Sequence, residues 1–158
     1  MILWRVASTS RNWQANDLSG AGAAQDPGRW NDAGQRVVYA APTLAMAVLE
    51  TAAHVDDSGL PLNKYVVRIE VPDNVWDTRK NLPVSELEPE WNAIPSGIVS
   101  VRHGSSWYEE RKYALLEVPS VIVPEESVIL INAEHPDASR VAASAIRRYE
   151  YNLLFRHS

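Results

Sequence analysis

The chain of 158 residues contains no cysteine. This absence excludes a disulfide framework, thiolate metal sites and cysteine nucleophiles. It also fits a cytoplasmic location, where disulfides are rare. The length is typical of one domain, here extending over 1–158, that buries a substantial core.

The sequence also lacks an excess of positively charged residues. The formal net charge is −5 and the isoelectric point is about 5.3. A protein that binds nucleic acid through a basic face usually has a positive net charge, so we expect no direct nucleic-acid contact. A small anionic ligand held by a few local arginines remains compatible with this composition.

Long apolar segments and targeting features are absent. The start, "MILWRVASTSRNW", lacks the basic region, apolar run and cleavage site of a signal peptide. The longest mostly apolar segment, "YAAPTLAMAVLETAAHV", is interrupted by Pro42 and Glu50. We therefore expect no membrane association.

Several motifs that carry chemistry are also missing. The sequence has no G-x-x-x-x-G-K-[ST], G-x-G-x-x-G or G-x-S-x-G pattern. Its histidines lack the short spacing of a metal site, which predicts no metal. These histidines are His54, His103, His135 and His157.

The pattern of elements predicts an α+β domain with a mixed, mostly antiparallel β core and peripheral helices. A helix is expected from Pro42, with the proline in its first turn. The region 72–106 is expected to be a connector with short helical pieces. After it, a helical turn is expected with Ser105 or Ser106 as its cap. The end of the chain fits either a helix or a strand. The predicted strands are "ILWRVA", "QRVVYAA", "KYVVRIEV", "ALLEVPSVIVP" and "SVILIN".

Four residues are unusual for their local contexts. Arg29 lies in a glycine-flanked turn, and Tyr39 is near the end of the strand that follows. Glu50 interrupts an apolar helical stretch, and Ser120 follows a proline within a β-rich run. Each has an ordinary explanation: a surface ion pair, a core aromatic, a solvated helix face or a strand bulge.

Together these residues form a pattern that resembles the RES-domain family, named for an Arg, a Glu and a Ser. The namesakes correspond to Arg29, Glu50 and Ser120, and the resemblance is weaker in 72–106 and after residue 140. The matching pieces are "LWR" at 3–5, "SGAGA" at 19–23, "GRWNDAGQRVVYAA" at 28–41, "AVLETAAH" at 47–54, "LLEVPSVIVP" at 115–124 and "ILINAEHPDA" at 129–138.

The resemblance implies a fold related to ADP-ribosyltransferases and a toxin that consumes NAD⁺. Hydrolysis, phosphorolysis and protein modification remain open as the outcome, and a non-catalytic binding module is the rival class. The implied partner is an Xre-family antitoxin whose segment blocks the NAD⁺ cleft. NAD⁺ is a substrate here, so no resident cofactor is expected.

The resemblance also implies roles for individual residues. A carboxylate beside the ribose stabilises the oxocarbenium-like charge of the transition state, which is the expected role of Glu50. A guanidinium bridges the pyrophosphate, as we expect of Arg29 with help from Arg5. Ser120 orients Glu50 or contacts the nicotinamide amide or the ribose, and these alternatives stay open. The implied catalytic set is Arg29, Tyr39, Glu50 and Ser120; the implied NAD⁺-binding set is Arg5, Gly28, Arg29, Tyr39 and Asn132.

Overall fold

A computed structural model describes residues 1–56 and 58–155, so His157 lies outside the described residues. Within these ranges the strands are β1 (Ile2–Ser8), β2 (Val37–Ala40), β3 (Lys64–Glu70), β4 (Lys80–Asn81), β5 (Leu115–Pro119), β6 (Ser127–Asn132) and β7 (Ala142–Tyr149). The α-helices are α1 (Ala21–Gln25), α2 (Leu44–Ala52), α3 (Asp73–Asp77) and α4 (Ile98–Glu110). Short 3₁₀ helices cover Val84–Glu86, Pro89–Asn92, Pro136–Arg140 and Tyr151–Leu153.

The strands form two sheets. One has the order β1-β3-β7 and is antiparallel throughout; the other has the order β2-β6-β5-β4. In the second sheet only the short pairing of β4 with β5 is parallel. A β-bridge between Trp4 and Ala41, with two backbone hydrogen bonds of 2.8 Å, joins the sheets. The predicted α+β class with a mixed, mostly antiparallel core is confirmed.

Strands β5 and β6 are buried on both faces. Leu115, Ile129 and Ile131 belong to the core shared with the first sheet. Leu116 and Leu130 face the opposite way, into a core built around tryptophans. Burial on both faces accounts for the nearly continuous apolar runs and fixes the strand register. That register in turn fixes the places of the side chains on β2 and directly after β5.

Helix α2 starts two residues later than the sequence predicts. Thr43 is the N-cap, and its side-chain oxygen accepts a 3.2 Å hydrogen bond from the Met46 amide. Pro42 therefore precedes the helix, and its predicted place in the first turn is wrong, because the threonine satisfies a free amide there. Buried Met46 and Ala47 hold α2 against the core.

Helix α4 corrects a second expectation. It runs for 13 residues, so Ser105 and Ser106 lie inside it and neither is its cap. Its buried face consists of Ser100, Gly104 and Trp107. Serine, glycine and β-branched residues are weak helix formers, so burial of this face rather than propensity stabilises the helix.

The ambiguous end of the chain is a strand. Strand β7 pairs antiparallel with β3 and contains a register shift at Val66/Val67. Most of its side chains are exposed, so the alternation that marks a half-buried strand is missing. No helix within the described ranges is long and apolar enough to cross a bilayer.

Candidate active site

The Arg29 side chain is held by main-chain carbonyl groups. Its Nη1 donates to the oxygens of Trp91 at 3.1 Å and Ala93 at 2.8 Å. Within the described ranges, Nε and Nη2 have no hydrogen-bond partner from the protein. Burial lowers the pKa of Arg29, and the nearby charge of Glu50 raises it. The free edge of the guanidinium can therefore bind two oxygens of an anion while its other side is fixed.

Glu50 and Ser120 form a direct hydrogen bond across a separation of 70 residues in the chain. The Ser120 hydroxyl donates to Glu50 Oε1 at 2.5 Å. It also accepts the amides of Ile122 and Val123, each at 3.1 Å. A serine hydroxyl has one proton and two lone pairs, so these bonds use its full capacity. Ser120 is 1% exposed, whereas Glu50 is half-buried.

Arg29 and Glu50 attract each other without forming an ion pair. The Glu50 charge acts on Arg29, yet no salt bridge joins the two in the part of the chain that the structure describes. The cation is tied to carbonyl groups on one side, and the carboxylate is tied to Ser120 on the other. Opposite charges that are fixed separately suit a ligand with an anionic part and a part that becomes cationic.

Two hydrogen bonds of its hydroxyl group fix the Tyr39 side chain. Its hydroxyl donates to Asn31 Oδ1 at 2.7 Å and accepts the Trp30 amide at 3.1 Å. Asn31 also accepts the Gly28 amide and donates to the Ala23 carbonyl. Burial raises the pKa of Tyr39 far above its ordinary value. The tyrosine is thus a neutral group that joins β2 to the turn carrying Arg29.

The position of the Tyr39 ring leaves no room for a side chain at Gly28. A Cβ atom at position 28 would lie 2.7 Å from both Cζ and the hydroxyl of Tyr39. The family resemblance implies that Gly28 contacts NAD⁺. The contact gives a different physical reason, since the glycine makes room for the aromatic ring; a ligand contact remains a prediction.

Trp30 and Asn31 are structural. Trp30 is 3% exposed and stacks on Trp91 with ring centroids 6.1 Å apart, so it packs beneath the turn. The Asn31 side chain also donates to the Asp32 carbonyl, which fixes the turn. Its bond to the Tyr39 hydroxyl was not foreseen, because a sequence gives no signal for side-chain pairs across a turn.

Arg5 lies on a separate small cavity of about 80 Å³, which Tyr39 also lines. Arg29, Glu50 and Ser120 do not line this cavity. Arg5 Nε is buried and has no hydrogen-bond partner within the described ranges. Burial lowers the pKa of Arg5, and Asp17, which lines the same cavity, raises it. Apart from Asn132, the predicted residues therefore form two groups that meet at Tyr39.

Asn132 and His135 make structural contacts. Asn132 is fully buried, donates to the Tyr108 carbonyl at 3.0 Å and accepts the Glu134 amide at 2.9 Å. These bonds tie β6 to α4, and the contact of Asn132 with NAD⁺ stays a prediction. His135 accepts the Asp137 amide and caps a 3₁₀ helix, as expected of a structural histidine. Among the described residues, no group of three or more potential ligands is arranged to hold a metal.

Comparisons with known proteins agree on one family. The family model described as "RES domain" matches residues 2–153, which includes the 72–106 region and the segment after residue 140 as far as residue 153. A "Prs ADP-ribosylating toxin" from Sphingobium sp. (strain YBL2) is 48% identical over 149 residues, 94% of this chain and 92% of that protein. A "Toxin Res" from Pseudomonas putida is 37% identical over 140 residues, 87% of this chain and 88% of that protein.

A solved structure has the same fold. The "M.tuberculosis MbcT-MbcA toxin-antitoxin complex" contains a chain that matches with a TM-score of 0.66 at 15% identity. The match covers 92% of this chain and 84% of that one. At this identity the likeness concerns the fold, and the family assignment rests on the sequence matches. The chain belongs to the RES-domain family.

Proposed function

We propose that this chain is a toxin that consumes NAD⁺ by breaking the bond between nicotinamide and ribose. One observation carries the proposal: Glu50 is fixed by Ser120 and lies within the electrostatic reach of Arg29 without pairing with it. Such a site holds a carboxylate ready on one side and a guanidinium edge ready on the other. The names of the relatives, both toxins and one of them ADP-ribosylating, agree with this chemistry.

The two charged groups have separate tasks in the proposed reaction. Nicotinamide leaves NAD⁺ as a neutral base, so no general acid is needed. The ribose becomes oxocarbenium-like, and the Glu50 carboxylate stabilises that charge. The Arg29 edge binds the pyrophosphate, and Tyr39 presents its ring to the nicotinamide. Arg5 binds NAD⁺ from the separate cavity that Tyr39 also lines. Removal of the carboxylate is expected to cost about 10²–10³ in rate.

A protein side chain is the acceptor that the name of one relative favours. The relative from Sphingobium is 48% identical over nearly the whole chain and is an ADP-ribosylating toxin with Prs in its name. We therefore propose Prs as the first protein acceptor to test. Water and inorganic phosphate are the other two acceptors, and each gives a different product from the same cleavage step.

An antitoxin is the proposed protein partner. The structural neighbour was solved with its antitoxin, and the family resemblance implies an Xre-type protein. We propose that a segment of this antitoxin covers the NAD⁺ cleft, and that contact with DNA belongs to the antitoxin. Both proteins would act in the cytoplasm, where NAD⁺ is found.

Mass spectrometry of the products tests the acceptor. The purified chain is incubated with NAD⁺ alone, with phosphate and with Prs. Transfer predicts a protein mass gain of one ADP-ribose, hydrolysis predicts free ADP-ribose, and phosphorolysis predicts ADP-ribose-1″-phosphate. If none of these products forms and no nicotinamide is released, the proposed function is wrong.

A further inference from the structure

We infer that Ser100, in α4, is a positioning residue that aligns Arg29 for its anionic ligand. The inference rests on the proposed function, in which Arg29 binds the pyrophosphate of NAD⁺. Ser100 lies 71 residues from Arg29 in the chain and outside every segment that carries the family pattern. Its hydroxyl donates to the main-chain oxygen of Arg29 at 2.8 Å.

Hydrogen bonds fix both the guanidinium group and the main-chain carbonyl of Arg29. Its side chain is held through Nη1 by the carbonyls of Trp91 and Ala93, and its backbone is held by Ser100. Both contacts come from one continuous stretch, residues 91–100, which ends in the first turn of α4. The direction of the free guanidinium edge therefore depends on how this stretch sits against the turn.

The Ser100 hydroxyl has no good alternative partner. The residue is 0% exposed, and the Gly97 carbonyl, the other oxygen near the hydroxyl, is 3.5 Å away. Leaving a buried hydroxyl without a partner is unfavourable, so the bond to the Arg29 carbonyl is strongly favoured. The geometry fixes Ser100 as donor and the Arg29 carbonyl as acceptor.

Close packing beside this bond makes the alignment rigid. One turn after Ser100, a Cβ at Gly104 would lie 1.6 Å from the Trp30 carbonyl oxygen. Helix α4 therefore touches the backbone directly after Arg29, and Trp30 also stacks on Trp91, which belongs to the stretch that holds the Arg29 side chain. Ser100 is fully buried within these contacts, so in Ser100→Ala the Arg29 carbonyl loses its donor and the alignment loses the bond that complements the packing.

A double-mutant cycle measured by ligand binding tests the inference. Calorimetry gives the dissociation constant of ADP-ribose, which contains the pyrophosphate but not the bond that is broken. Ser100→Ala is measured beside Arg29→Ala and the double variant. Ser106→Ala is the matched control, since Ser106 is an exposed serine on the same helix that bonds Glu110. Thermal melting of each variant reports folding.

The cycle has a defined expected result. Ser100→Ala weakens ADP-ribose binding about 5- to 10-fold when Arg29 is present and less than about 2-fold in the Arg29→Ala background. In NAD⁺ turnover, Ser100→Ala raises KM by the same factor and leaves kcat within about 2-fold, because Glu50 is untouched. If Ser100→Ala does not fold, Ser100→Cys keeps the side-chain volume while weakening the donor and takes its place.

Each other outcome has a separate meaning. An equal loss of binding in both backgrounds, or no loss in either, overturns the positioning role of Ser100. If Arg29→Ala weakens binding and Ser100→Ala does not, only this inference fails. If wild type and Arg29→Ala bind ADP-ribose equally, the assignment of Arg29 in the proposed function fails first.

Discussion

The Ser120 hydroxyl donates a 2.5 Å hydrogen bond to Glu50 Oε1 while it accepts two backbone amides. The amides belong to Ile122 and Val123, so the loop after β5 orients the hydroxyl and the hydroxyl orients the carboxylate. With its proton and both lone pairs engaged, Ser120 matches one of the alternatives that the sequence left open, the orientation of Glu50. We propose this as its role in place of contact with the ribose.

Replacement of Ser120 by alanine should lower kcat more than it changes KM. We expect Ser120→Ala to reduce the kcat of nicotinamide release about 10-fold or more, since the carboxylate loses its orientation. Steady-state kinetics with NAD⁺ measures both constants. Ser139→Ala, an exposed serine bonded to the Pro136 carbonyl, is the control and should behave as wild type. A large rise in KM with normal kcat would contradict the orienting role.

Tyr39→Phe should destabilise the fold at neutral pH. The change removes the acceptor for the buried Trp30 amide and the donor for Asn31, which is expected to cost about 1–3 kcal/mol. Chemical denaturation measures the free energy of unfolding. Tyr113→Phe is the control, because its hydroxyl has no hydrogen bond among the described residues, and we expect a change below about 0.5 kcal/mol.

The same tyrosine should make stability depend on alkaline pH. Burial holds the folded-state pKa of Tyr39 above its ordinary value of 10.0. Above pH 10 the unfolded chain loses this proton and the folded chain keeps it, so the free energy of unfolding falls as pH rises. The slope should be up to about 1.4 kcal/mol per pH unit steeper in wild type than in Tyr39→Phe. Equal slopes between pH 10 and 11 would show that Tyr39 ionises freely in the fold.

Three glycine-to-alanine variants should differ in stability in a fixed order. At Gly97 an added Cβ meets nothing within 4 Å; at Gly28 it meets the Tyr39 ring at 2.7 Å. At Gly104 it meets the Trp30 carbonyl at 1.6 Å. We expect a change within about 0.5 kcal/mol at Gly97, a loss of about 1–3 kcal/mol at Gly28 and a larger loss at Gly104. Thermal unfolding gives the order, and a stable Gly104→Ala protein would contradict the packing of α4.

We expect that a lysine at position 29 cannot perform the role of Arg29 in binding NAD⁺. One ammonium group cannot bond two carbonyls and also present two parallel donors to a pyrophosphate. We expect Arg29→Lys to raise the KM for NAD⁺ at least about 10-fold, with a smaller effect on kcat. Arg11→Lys, at an exposed arginine, is the control. Equal KM values for wild type and Arg29→Lys would show that charge alone is sufficient.

The sequence predicted best what depends on local patterns. The central strands β5 and β6 could be predicted from their apolar runs, because both strands are buried on both faces. The predicted start of α2 was wrong because Thr43 caps the helix. The predicted cap of α4 was wrong because buried contacts to Trp30 stabilise a longer helix. The exposed strand β7 lacks the alternation that a sequence method needs.

The candidate site could be predicted only in part. The family pattern pointed to Arg29, Glu50 and Ser120, and the fold brings Glu50 and Ser120 into contact. No sequence signal pointed to the carbonyls of Trp91 and Ala93 or to the Ser100 hydroxyl. Those contacts join segments more than 60 residues apart, and main-chain carbonyls carry no residue identity.

The most direct test of the central claim is nicotinamide release from NAD⁺ by wild type and Glu50→Gln, followed by chromatography. Glutamine keeps the shape of the side chain and removes the charge that stabilises the ribose cation. Glu125→Gln, at an exposed glutamate, is the matched control. We predict release by wild type and by Glu125→Gln, with a rate about 10²–10³ lower for Glu50→Gln. Equal rates for wild type and Glu50→Gln, or no release by wild type, would contradict the account.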